Sequence, residues 1–141
     1  CILQAGGGDN LILPSDTTKP IYVQLAGWLE NEILAGNLLP HERIFSQYQL
    51  ADMFNINPAT AAKGLSLLLE EGLVYKKRGL GMFIAEHAQE AIRKKRREQT
   101  LQQLIRDVVA EADNLGVEES ELLDMIQQAI ASRKDDRHER D

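Results

Sequence analysis

Residues 46–84, SQYQLADMFNINPATAAKGLSLLLEEGLVYKKRGLGMFI, decide the fold. They read as two short helices joined by a tight turn and followed by a β-hairpin. Ser46 is placed to cap the first helix by accepting from the backbone N–H of Gln49, whose side chain can reach back to the Ser46 N–H. Phe45 and Leu50 stand at the two positions of a hydrophobic staple. Leu50, Ala51 and Phe54 then repeat at helical spacing. Asn55-Ile56-Asn57-Pro58 ends this helix, because a residue before proline is pushed out of the α region. The same residues start the next helix, with Asn57 as N-cap and Pro58 at the first helical position. Helix, short turn, helix is the geometry of a helix-turn-helix.

In the second helix Ala61, Leu65, Leu68 and Leu69 share an inward face, so Ala59, Lys63 and Ser66 face outward with Thr60 and Ala62 on the flanks. That outer face is small, polar and basic near its N-terminus, as a helix entering the DNA major groove requires. Short residues let the backbone approach, Thr60 can bond a phosphate or touch a thymine methyl, and Lys63 can reach guanine or phosphate. Glu70 and Glu71 at the far end repel phosphate, so only the first two turns are expected in the groove. Gly72 stops the helix. Residues 73–77 and 82–84 read as strands around Arg78-Gly79-Leu80-Gly81, a wing whose glycines permit tight turning. Lys76, Lys77 and Arg78 are placed there against the DNA backbone or minor groove.

The run Pro20-Ile21-Tyr22-Val23-Gln24-Leu25, the Leu50-Ala51 helix, the segment Ile56 to Ala61, Glu71-Gly72-Leu73-Val74 and the segment Lys77 to Phe83 together resemble the GntR family of bacterial transcription regulators. The resemblance covers roughly residues 19–130, and the short tail is similar to the YtrA subfamily. It implies a dimeric winged-helix repressor, often of genes for an ABC transporter, with DNA contacts at Asn57, Ala59, Thr60, Lys63, Arg78 and Gly79. Ser46 and Gln47 at the start of the first motif helix, and Lys76, Lys77 and Gly81 in the wing, complete the candidate DNA-binding set. Three positions differ from the family pattern. Phe45 replaces the proline common before Ser46, and Tyr48 and Ala62 stand where arginines are usual, which shifts the expected contact to Lys63 and the wing.

The rest of the chain supports this unit. Pro20 opens a helix to about Ala35 in which Tyr22, Leu25, Trp28 or Leu29, and Ile33 recur at helical spacing, and Trp28 is expected to pack in the core. Gly36 closes it. Arg43-Ile44-Phe45 can add a short third strand to the wing. A long helical run from Glu86 to Asp113 opens with Arg93-Lys94-Lys95-Arg96-Arg97, either a solvated helix surface or extra contact with flanking phosphates. Leu101, Leu104, Ile105, Val108, Val109 and Ala112 form one apolar stripe. After Gly116, Leu122, Leu123, Ile126 and Ile130 form a second. Two such helices predict an antiparallel hairpin too small to bury both stripes, and a second copy of the chain is the natural cover.

The expected organisation is therefore mainly α with a small β-wing: a disordered lead or cloning remnant over 1–18, a winged helix-turn-helix over 19–86, a two-helix dimerisation tail over 87–131 and a disordered charged tail over 132–141. Of the 141 residues, 16 are basic and 22 acidic, a net charge of −6, yet residues 57–84 carry four cations against two acids. A single cysteine, Cys1, forbids an intrachain disulfide and fits a reducing cytoplasm, and no membrane span is apparent. His41, His87 and His138 are scattered without ligand spacing, so no metal or cofactor is expected. Ser46 and Ser66 have no histidine placed to activate them, and nothing asks for an enzyme. The partners expected are an operator duplex, a second copy and an unidentified small-molecule effector. The alternatives are a winged-helix protein-interaction module, suggested by the missing arginines and the acidic total, and a small-molecule sensor with weak DNA affinity.

Overall fold

The computed structural model describes Leu13 and residues 18–140, with side chains up to Lys134; the expected lead over 1–18 otherwise lies outside the described residues. The chain divides into two units, residues 1–95 and 96–141. The first holds α1 (Ile21–Leu34), α2 (Gln47–Phe54), α3 (Pro58–Glu70), β1 (Val74–Lys77), β2 (Gly81–Ile84) and α4 (Ala88–Lys95).

Pro20 is the N-cap of α1, and its carbonyl accepts from the N–H groups of Val23 and Gln24. Leu25, Ala26, Leu29 and Ile33 form the buried face of α1. Trp28 is half-buried beside them, edge-on to Phe54 at 4.9 Å and tilted against Phe45 at 6.1 Å, as core packing requires. The capping box at Ser46 is complete: Gln49 N donates to Ser46 Oγ at 3.1 Å and Ser46 N donates to Gln49 Oε1 at 2.8 Å. What stops α2 is not Pro58 but Asn55, which takes the left-handed conformation at φ 54° and leaves Ile56 and Asn57 as the turn. Asparagine tolerates that region because its short polar side chain bonds locally. Asn57 then caps α3 with Pro58 at its first position.

Helix α3 lies on α1 at Gly64, which is buried. A Cβ there would stand 3.1 Å from Leu25 Cδ2 and 3.2 Å from the Tyr22 carbonyl oxygen. Strands β1 and β2 pair antiparallel with Val74 opposite Ile84 and Lys77 opposite Gly81. The third strand is a single bridge between Arg43 and Phe83, flanked by bonds from Ile44 N to the Met82 carbonyl and from Ile84 N to the Glu42 carbonyl, each 2.9 Å. Leu25, Leu29, Leu50, Leu68, Ile84 and Ile92 are fully buried. Ile92 and Ala88 belong to this core, so the winged-helix unit runs through α4 rather than ending near residue 86. Their spacing of four puts both on one face of α4, which docks that helix on the body.

The second unit begins with a π-helical turn, Arg96–Thr100, which interrupts the expected unbroken run to Asp113. Helix α5 (Leu101–Leu115) ends at Gly116 in the left-handed conformation, and α6 covers Glu119–Arg140. Residues 132–140, expected to be disordered, continue this helix, since no glycine or proline interrupts the chain after Gly116. Leu101, Leu104, Ile105, Val108, Val109, Leu123, Ile126 and Ile130 are between 41% and 54% exposed, whereas Ala112 is buried and Leu122 half-buried beside the turn. Among the described residues no helix is long and apolar enough to cross a membrane.

One buried charge holds the end of the first unit together. Glu30 on α1, 5% exposed, pairs with Lys95 at the end of α4, and the same ammonium donates to Glu71 Oε1 at 2.7 Å. Burial alone lowers the pKa of Lys95, but hydrogen bonds and charge from Glu30 and Glu71 outweigh it, and the net shift is above 10.5. Lys95→Met removes the ammonium shared by Glu30 and Glu71 and is expected to destabilise the fold by about 2 kcal/mol, measured by urea unfolding. Because the folded-state pKa is the raised one, this contribution is fully present below the unfolded value of 10.5. The stability difference between wild type and variant should therefore close only as pH rises through the folded-state pKa.

Candidate nucleic-acid interface

Asn57 aims the first turn of α3. Its Oδ1 accepts from the backbone N–H of Ala59 at 2.7 Å, fixing where the helix begins. Ala59, Lys63 and Ser66 are exposed and Thr60 and Ala62 are half-buried, so the outward face is the one their spacing predicts, while Leu69 is half-buried rather than central to the core. Lys63 extends over the Tyr22 ring, its Nζ 5.7 Å from the centroid, which braces the only cation of this helix against α1. Ser46 and Gln47 are half-buried, and the Ser46 hydroxyl already accepts a hydrogen bond as a helix cap. Tyr48, 69% exposed, and Ala62 leave the two expected arginine positions uncharged.

The wing is built on an aromatic ladder. Tyr75 and Phe83, paired across the hairpin, stack at 5.9 Å, and Lys77 Nζ stands 4.8 Å from the Phe83 ring centroid. His41 Nδ1 lies 2.8 Å from the Tyr75 hydroxyl and ties the preceding loop to the same ladder. Lys76, Lys77 and Arg78 are exposed. The turn is closed by Leu80 N donating to the Lys77 carbonyl at 2.9 Å, with Gly79 at φ 76° and Gly81 at φ 111°.

Arg43 is the cation that sequence reasoning missed. Its guanidinium lies against Gly81, with Nε 2.9 Å from where a Cβ would stand, and it adds a fourth positive charge to the wing. The signal for it was strand alternation: Ile44 is buried, so its neighbour Arg43 is exposed. The cluster at residues 93–97 separates into different roles, for Lys95 is committed to Glu30 and Glu71 while Arg93, Lys94 and Arg97 are exposed. Glu71, at the far end of α3, is thereby paired and no longer a bare repulsive charge. Among the described residues no group of three or more His, Cys, Asp or Glu side chains could hold a metal ion.

A helix-turn-helix with a capped second helix and a cationic two-stranded wing matches the profile of bacterial regulatory proteins, gntR family, over residues 21–84. The matched residues 21–84 make up less than half of the chain. The chain is 40% identical over 70 residues to the HTH-type regulator YdeF of Bacillus subtilis, half of this chain but only 15% of YdeF. It is 28% identical over 118 residues to the HTH-type transcriptional repressor YtrA of Bacillus subtilis, 84% of this chain and 90% of YtrA. A crystal structure described as a GntR-family transcriptional regulator from Bacteroides thetaiotaomicron superposes with a TM-score of 0.66 at 28% identity, covering 81% of this chain and 99% of that one.

In this wing, Gly81→Ala meets both a left-handed backbone and the Arg43 guanidinium. It is expected to cost about 1 to 2 kcal/mol of unfolding free energy, read by urea denaturation, because a non-glycine residue at such a φ is strained whatever space surrounds it.

Proposed function

We propose that this chain is a sequence-specific DNA-binding regulator of transcription that acts as a homodimer and represses by occupying an inverted-repeat operator. The observation that carries this reading is the wing: residues 73–85 hold three cations and no acid, and Arg43 adds a fourth beside Gly81. Next to it in sequence stands a capped helix whose first two turns expose small, polar and basic residues. Thr60, Lys63 and Asn57 contact bases or adjacent phosphates; Ala59 allows the backbone to approach; Lys76, Lys77, Arg78, Gly79 and Gly81 take the backbone or minor groove. Ser46 and Gln47 belong to the edge of the same surface, Ser46 chiefly through its cap. The dimer rests on the tail, whose apolar residues on α5 and α6 stay about half exposed in a single chain. A second copy would bury them and set two half-sites about 34 Å apart, or a multiple of that.

Similarity to the YtrA repressor along the tail as well as the reader favours a YtrA-like regulator, of which control of ABC transporter genes is the expected role. One cleft of the winged-helix unit, lined by Ile33, Leu38, Pro40, Ile84 and Gln89, encloses about 140 Å³, below the roughly 300 Å³ at which small-molecule sites begin.

Enrichment of random duplexes by the purified chain near physiological salt should return a two-fold symmetric motif; recovery of no motif by a folded dimer overturns the proposal. On the enriched duplex, Arg78→Ala should weaken binding to all sequences alike and reduce the log–log salt slope by about one per protomer, whereas Thr60→Ala should alter base preference within the half-site. Replacing Leu104 and Val108 by Asp should yield monomers in sedimentation analysis.

A further inference from the structure

The wing tip carries an apolar side chain that the fold does not use. Leu80 is 59% exposed and is not among the side chains packed on the core. It sits between Gly79 and Gly81, both at positive φ, in a turn closed by its own N–H to the Lys77 carbonyl. Nothing lies within 4 Å of where a Cβ would stand at Gly79, so on that side the tip is bare backbone. Isolated exposed leucines are common. This one differs because it sits at the tip of a hairpin that exposes Lys76, Lys77 and Arg78, with Arg43 against the neighbouring Gly81, so a polyanion drawn to those cations is brought to the leucine.

We propose that Leu80 is a base-pair-selective probe of the DNA minor groove, a reading that rests on the DNA-binding function above. An isobutyl group offers nothing to a phosphate oxygen, which seeks donors. The part of a duplex that suits it is the wall and floor of the minor groove, where sugar C–H edges and the adenine C2–H present apolar surface. That groove is about 6 Å wide, and a hairpin tip stripped to glycine on both sides of one side chain is narrow enough to enter. On the groove floor A·T and T·A show only acceptors, whereas G·C adds the exocyclic amino group of guanine. Leu80 cannot accept from that amino group and would exclude the water that otherwise does. A G·C pair beneath the tip therefore leaves a donor unsatisfied, and an A·T pair does not.

The test uses the full-length protein and the duplex enriched from the random library. Each A·T pair flanking the major-groove motif is replaced in turn by G·C and by I·C. Inosine keeps the major-groove edge of guanine but lacks its minor-groove amino group. Wild type should show at least one symmetric position where G·C weakens binding about tenfold, the scale of one buried donor left unpaired, while I·C binds like A·T. In Leu80→Ala that ratio should fall to within about twofold, with thermal unfolding confirming an intact fold. The proposal is overturned if I·C is disfavoured as strongly as G·C, if no flanking position discriminates, or if Leu80→Ala keeps the wild-type ratio. Failure to enrich any duplex would instead overturn the DNA-binding reading, and this proposal with it.

Discussion

The approach of α3 to α1 at Gly64 governs everything the winged-helix unit presents to its surroundings. With no side chain at that position, the Leu25 side chain and the Tyr22 carbonyl come within about 3.2 Å of where a Cβ would be. Rotation of α3 about its axis would bring a side chain from a neighbouring position into the space that only a glycine leaves against α1. Fixing that rotation fixes which residues point away. Ala61, Leu65 and Leu68 are committed inward, and Ala59, Lys63 and Ser66 are left outside. The Tyr22 ring beneath Lys63 belongs to the same contact, so the cation of the reader helix is oriented by the helix behind it.

Local chemistry made most of this unit legible in the sequence. The capping box at Ser46, the Asn57-Pro58 start of α3 and the glycines of the wing each act within four residues, and each appears where its side chains demand. What sequence alone could not show depends on distant partners. Asn55 rather than Pro58 ends α2, because a left-handed asparagine is a choice the turn makes, not one its composition dictates. Gly64 looks like a weak point in a helix until α1 is placed against it. Glu30 sits in a helical pattern where a polar residue reads as solvent-facing, and only the fold brings Lys95, sixty-five residues later, to neutralise it. Arg43 was visible as part of a strand, but its contact with Gly81 needs the wing to be folded.

The tail was legible in pattern but not in packing. Its two stripes lie where the spacing puts them, and most of their residues stay about half exposed in a single chain. Helical periodicity reports which face is apolar; it carries no information about what that face meets. The π-turn at Arg96–Thr100 is equally silent in composition, since a wider turn uses the same residues as a regular one.

Charge distribution reconciles an acidic protein with the affinity for DNA proposed above. Residues 1–95 hold nine cations and ten acids, a net of −1, whereas residues 96–141 hold seven and twelve, a net of −5. Between Glu98 and Asp124 there are eight acids and a single cation, Arg106. Nearly all of the excess negative charge is therefore outside the winged-helix unit. In the proposed dimer two such tails are brought together, and their mutual repulsion opposes the burial of the apolar stripes. Salt screens that repulsion over about 8 Å at physiological ionic strength and strengthens hydrophobic association if it acts at all on it. The same salt competes with Lys and Arg for phosphate and weakens DNA binding. The two equilibria thus respond to ionic strength with opposite sign: low salt favours the reader on its operator and disfavours the dimer that doubles its half-sites. In that proposed dimer the opposing responses would make operator occupancy fall less steeply with salt than for a reader whose dimer does not dissociate.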